Sequence, residues 1–206
     1  GRGYGRAGLL TAAYSLGCCL GGPALSRVMD LRGQRAALVL GGVVSSLALA
    51  VLPWVPSGGA LVVALVAGLA TPPLEPALRT LWPSVLSPRQ VPSAFALDAA
   101  AQELIFVLGP LVVLVAQLGG SGGGLVAAGL IGLLGTAWFV ASRASRTWVP
   151  PVHEDRHWLG PLRSRRLCVL YVAVALVGLT IGVPAVALVA YAESTGDRGL
   201  APWLVA

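Results

Sequence analysis

The chain has 206 residues, 56% of them hydrophobic and 11% charged, with a mean hydropathy of +0.83. Soluble domains carry about 25% charged residues, and a water-soluble fold of this size cannot hide so much apolar surface. The net charge is +6 and all 14 basic residues are Arg, spread between apolar runs rather than gathered on one face, so the basicity reads as membrane topology and excludes nucleic acid as the expected partner.

The apolar runs set the elements. A spanning helix needs about 20 mostly apolar residues to cross ~30 Å of hydrocarbon. Residues 7–26 meet that, as do 36–54 and about 58–80. Residues 104–142 carry no charge and are too long for one crossing; the tract from Gly119 to Gly124 divides them into helices at about 95–118 and 125–142. A sixth span covers 167–192, and a seventh starts near Leu200. Barrel strands would alternate apolar and polar residues, whereas these runs are apolar all round. The expected fold is an all-α, polytopic transmembrane bundle.

Orientation follows from the arginines. Alternate connecting segments hold 11 Arg on one side and 3 on the other, which puts the Arg-rich side in the cytoplasm of a plasma (inner) membrane. Residue 1 is then outside, so an odd number of spans, most simply one, is expected upstream, and both ends of the chain read as truncated. Residues 143–166 are polar, hold six Arg and contain Pro150, Pro151 and Pro161. They read as a cytoplasmic linker between a helical bundle at 1–142 and the start of a second at 167–206.

Ionisable groups inside spans are costly and therefore site candidates. Glu75 and Arg79 stand four residues apart on the third span, on one helix face. Pro72, Pro73 and Pro76 surround Glu75 and disturb the helix, and broken helices are where transporters place sites. The plainer reading is a pair of charges snorkelling at the inner membrane edge. Asp98, Gln102 and Glu103 open the fourth span. Asp98 and Gln102 share a face, while Glu103 is about 140° away and begins the uncharged run. Glu103 is thus the carboxylate expected to be buried. Burial favours the neutral form of a carboxylate, so such a group can carry a proton; the alternative is an acid that only complements the helix dipole. Arg79 and Glu103 lie on the same side of the membrane and are expected to be within reach of each other.

The segment Ser26-Arg27-Val28-Met29-Asp30-Leu31-Arg32-Gly33-Gln34-Arg35 joins the first two spans. Gly33 permits a tight turn, and Asp30 suits the positive end of the next helix. The segment resembles the signature loop of the major facilitator superfamily, roughly G-x-x-x-D-[RK]-x-G-[RK]-[RK]. Asp30, Gly33 and Arg35 match; Ser26, Leu31 and Gln34 depart from it. With residues 7–26 as the second helix of that fold, the segment 143–166 falls where the superfamily has its central cytoplasmic loop. The stretches 72–83, 95–110 and 182–196 also look like high-GC bacterial members. Gly109-Pro110 is similar to the fifth-helix antiporter motif, without the Gly-Gly that follows it there. The resemblance covers helices two to seven and the start of eight. It implies alternating access, a loop of Asp30, Gly33 and Arg35 that latches the cytoplasmic side, and proton-coupled efflux of a small organic solute, with nutrient uptake as the second reading.

Two other classes fit parts of the sequence. His153-Glu154-Asp155-Arg156-His157 fits the H-E-x-x-H pattern of zinc proteases, but it sits between prolines with no long amphipathic helix and no third His. A non-transporting membrane scaffold is the other. A phosphate-binding G-x-x-x-x-G-K-[ST] loop is impossible in a chain without Lys. Cys18, Cys19 and Cys168 lie in apolar runs and read as small hydrophobes. No enzyme activity, metal or cofactor is expected; the expected partners are lipid, a small-molecule substrate and protons.

Overall fold

The computed structural model describes residues 2–120, 122–149 and 164–194. Every regular element among them is helical. In chain order these are α1 (Arg2–Arg32), α2 (Gln34–Val51) with a short 3-10 turn at Leu52–Trp54, α3 (Ser57–Leu69), α4 (Leu74–Val85), α5 (Val91–Gln117), α6 (Gly123–Ala141), α7 (Arg143–Thr147) and α8 (Arg165–Ser194). The chain divides into two compact units, Gly1–Pro151 and Val152–Ala206. The first holds α1 to α7. The second contains α8, a single 30-residue helix over the sixth apolar run.

Five stretches of the first unit are long and apolar enough to cross a membrane: Gly5–Arg32, Gln34–Trp54, Ser57–Val85, Val91–Gln117 and Gly123–Ala141. Large side chains such as Leu97, Phe106, Leu118 and Trp138 are between 72% and 87% exposed. A soluble surface does not tolerate that density of apolar groups. The protein is a multi-pass membrane protein.

What holds the bundle together is small residues. In lipid there is little hydrophobic gain from joining helices, so close backbone approach supplies the contact. α1 lies on α3 through glycine: a Cβ at Gly17 would meet the Leu65 carbonyl, one at Gly21 that of Leu69, and one at Gly68 that of Tyr14. α2 lies on α6 in the same way. Gly42 faces the Thr136 side chain, and Gly129 faces the Ser46 carbonyl. The spacing Gly17-x-x-x-Gly21 thus places two glycines on the α1–α3 contact. At the Arg-rich end of the bundle Met29, Ala37, Leu38, Ala77 and Val140 form the largest apolar core.

The third span is broken where its prolines stand. α3 ends at Leu69 and α4 starts at Leu74. Pro72 and Pro73 have no N–H for the Gly68 and Leu69 carbonyls. The Gly68 carbonyl is satisfied locally by Ala70 N–H and by Thr71 N–H at 3.0 Å. Pro76 sits in the first turn of α4, where an N–H has no helical partner anyway, and does no damage. A hydroxyl cluster ties the break to its neighbours. Thr71 Oγ1 donates to the Ala67 carbonyl (2.9 Å), so Tyr14 of α1 and Ser45 of α2, each 3.2 Å away, donate to Thr71.

Three expectations need correcting. The third span runs on to Val85 rather than ending near residue 80. The segment 26–35 is mostly helix: α1 continues to Arg32 and only Gly33 lies between it and α2. And residues 143–147, expected to be linker, form α7, which docks on α2, α4 and α6. Ser142 caps it, accepting from Ser145 N–H at 3.3 Å, as short helices with unpaired first N–H groups require.

Candidate functional site

The turn between α1 and α2 is built by Gly33. Its φ of +90° is open to glycine and strained for other residues, and its N–H returns to the Met29 carbonyl at 2.8 Å. Asp30 is exposed in the last turn of α1. This corrects its expected place at the positive start of the next helix: the end of a helix is its negative pole. Arg35 is exposed in the first turn of α2. Neither side chain forms an ion pair within the described residues. The residue between Gly33 and Arg35 does make a contact. Gln34 is 2% exposed, and its Nε2 donates to Thr80 Oγ1 of α4 at 2.8 Å. Thr80 in turn donates to the Ala77 carbonyl (2.7 Å). Gln34 Oε1 is buried without a partner. In the sequence Gln34 stands out only as a departure from a basic position of the signature loop. That departure was the available signal, since a neutral amide can be buried where a guanidinium would need a countercharge.

One residue earlier in α4, Arg79 collects the ionic contacts. Its Nη2 lies 2.6 Å from Glu75 Oε1 and 2.6 Å from Asp98 Oδ2, and its Nε donates to the same Asp98 oxygen at 3.0 Å. Glu75 occupies the first turn of α4, where a carboxylate complements the dipole. Asp98 comes from α5 and has a side chain only 12% exposed, against 39% for Arg79 and 48% for Glu75. The Arg79 guanidinium also stands 5.9 Å from the centre of the Phe95 ring. Phe95 in turn meets Trp82 edge to face, with centroids 4.5 Å apart. The arginine thus clamps α4 to α5 near the start of the latter, and aromatic rings shield one side of it.

This geometry corrects two expectations. Arg79 pairs with Asp98 and not with Glu103. Glu103, expected to be buried, is exposed, as are Leu104 to Leu108 after it. No residue of α5 is buried. Glu103 lies 12 residues into α5, about 18 Å along its axis, and has no countercharge within the described residues. α4 continues past Glu75 to Val85.

Beside the clamp, α4, α5, α6 and α7 line an open cleft of about 800 Å³. Its wall is apolar and aromatic, including Leu81, Trp82, Leu97, Trp138 and Phe139, and Asp98 is its one charged lining residue. Gly109-Pro110 lies inside α5, which continues through the proline. The His153–His157 run is outside the described residues. Among the described residues no three His, Cys, Asp or Glu side chains gather as a metal site.

The family model for the Major Facilitator Superfamily matches residues 3–206. No curated protein and no solved structure matches the chain.

Proposed function

The chain belongs to the major facilitator superfamily and is a membrane transporter of that family; on that premise we propose that it expels a small organic solute across the plasma membrane in exchange for protons. The observation that carries this reading is the Arg79 clamp. A guanidinium shared by two carboxylates joins the inner half of a broken span to the next helix. Such a contact can be made in one conformation and released in another, as alternating access demands. The excess of Arg on one side supports a cytoplasmic position for the clamp, the Gly33 turn and the segment 143–166. The clamp is then the inner gate. Asp30 and Arg35, exposed beside the turn, supply charges for a latch on that face. A division into a bundle at 1–142 and a second beginning at 167 belongs to the same reading.

Glu103 is the proposed proton carrier. A charge about 18 Å along a membrane helix is costly, Glu103 has no countercharge among the described residues, and a proton is the simplest neutraliser. The test uses the full-length protein in proteoliposomes, with ethidium flux driven by an imposed pH difference. Glu103→Gln is expected to leave ethidium exchange intact while removing its dependence on the pH difference. Proton-driven flux unchanged in that variant would place coupling elsewhere, and ethidium moving inward with protons would favour uptake.

The latch makes a separate prediction. Asp30→Asn keeps the side chain's shape and removes its charge. Transport is expected to fall severalfold while membrane insertion and purified yield stay at wild type. Kinetics identical to wild type would sink the latch.

A further inference from the structure

We propose that Gln34 is a positioning residue of the inner gate: its side-chain amide holds α4 in the rotation at which Arg79 reaches Asp98. The inference rests on reading the Arg79–Asp98 contact as that gate, and it adds a link from the gate to the Gly33 turn.

The break in the third span calls for such a link. α4 is a 12-residue helix, and residues 70–73 separate it from α3, so no continuous ladder of backbone hydrogen bonds sets its rotation. Its buried side chains, Ala77, Leu81 and Trp82, make apolar contacts, which have no preferred direction. Directional contacts fall to two neighbouring residues. Arg79 reaches α5 through its bonds to Asp98. Thr80, about 100° further round the helix, accepts from Gln34 of α2 at 2.8 Å. The two side chains hold α4 from two directions, so a rotation that breaks one contact displaces the other.

Chemistry fixes which way the Gln34 bond runs. Thr80 Oγ1 gives its proton to the Ala77 carbonyl at 2.7 Å. It can then only accept from Gln34, so the amide nitrogen faces it. Gln34 is 2% exposed, and its Oε1 is left buried without a partner. A buried acceptor with no donor costs stability, and an apolar side chain of similar size would avoid that cost. Stability therefore does not account for a glutamine here; a directional hold on α4 does. Gln34 also follows Gly33 directly, so a shift of the turn that carries Asp30 and Arg35 passes to α4 through one hydrogen bond.

The test measures initial ethidium flux against ethidium concentration in proteoliposomes of the full-length protein, with melting transitions taken on the same preparations. Gln34→Leu removes the donor, and Thr80→Val removes the acceptor at an exposed residue. Each is expected to lower maximal flux severalfold at an unchanged half-saturating concentration, because the step affected is conformational. Gln34→Leu is expected to melt at or above wild type. Thr80→Ser keeps the hydroxyl and is expected to transport as wild type does. Adding Gln34→Leu to Arg79→Ala is expected to cause no further loss, since Gln34 acts through that arginine. Wild-type flux in Gln34→Leu or in Thr80→Val, beside reduced flux in Arg79→Ala, overturns the positioning role and leaves the gate standing. A lowered melting transition in Gln34→Leu, with Thr80→Ser no better than Thr80→Val, makes the bond a contact of the fold alone. Further loss in the double variant means that Gln34 acts apart from Arg79. Wild-type flux in Arg79→Ala sinks the gate itself, and this inference with it.

Discussion

Removing the arginine clamp is expected to lower ethidium flux by about tenfold or more, and removing Asp98 is expected to do the same, because the two act as one contact. Arg79→Ala leaves Asp98, whose side chain is 12% exposed, without its partner; Asp98→Ala leaves the guanidinium with Glu75 alone. The double variant should therefore be no worse than the poorer single one. Additive losses would show that each residue works through something else. Glu75→Gln should cost less than either, since Glu75 is 48% exposed and its helix neighbour pairing is of the solvent-screened kind. Arg79→Lys should recover only part of the flux. The guanidinium reaches Asp98 through Nε and Nη2 while Nη2 also meets Glu75, and one ammonium cannot reproduce that fork. Surface expression measured alongside separates lost transport from lost protein.

How far the sequence foretold this site depends on the kind of contact. Contacts along one helix were legible. Glu75 and Arg79 are four residues apart, and helical geometry alone brings them together. The breaks were legible too. Pro72-Pro73 cannot donate hydrogen bonds, and the glycine tract after Gln117 ends α5, with Gly120 at φ +123°. Contacts between helices were not. The wheel for α5 separates Asp98 from Glu103 correctly, but which of them meets Arg79 depends on how α4 crosses α5. That crossing depends on the kink at residues 70–73, whose direction no one-dimensional pattern carries. The same limit hid Gln34. Its burial comes from Thr80 and the core around Ala77, residues more than forty positions away, and a polar residue beside a basic loop otherwise reads as solvated. The helical extent of α1 is hidden in the sequence for a different reason. Apolar runs mark only the stretch that suits lipid, but hydrogen bonding does not stop where charge begins, and α1 carries Arg27 and Asp30 into its last turns.

Gly68→Val tests the packing that positions the broken span, and it is expected to be strongly damaging. A Cβ at Gly68 runs into the Tyr14 carbonyl and lies 3.0 Å from Cys18 N. Both obstacles are backbone, so neither can rotate away, and α1 and α3 must separate. Overpacking costs about 1–3 kcal/mol, occasionally more, where side chains can adjust, and a rigid backbone clash belongs at or above the top of that range. Separation would also pull Tyr14 from Thr71, and with it the tie between α1 and the break. In lipid the small-residue contact is itself the cohesive force, so no hydrophobic gain offsets its loss. The expected result is a severalfold fall in monodisperse protein on size exclusion and a lowered melting transition. Gly135→Val is the matched control, because a Cβ there meets nothing within 4 Å, and it should behave as wild type. Equal behaviour of the two variants would mean that the α1–α3 contact does not hold this bundle together.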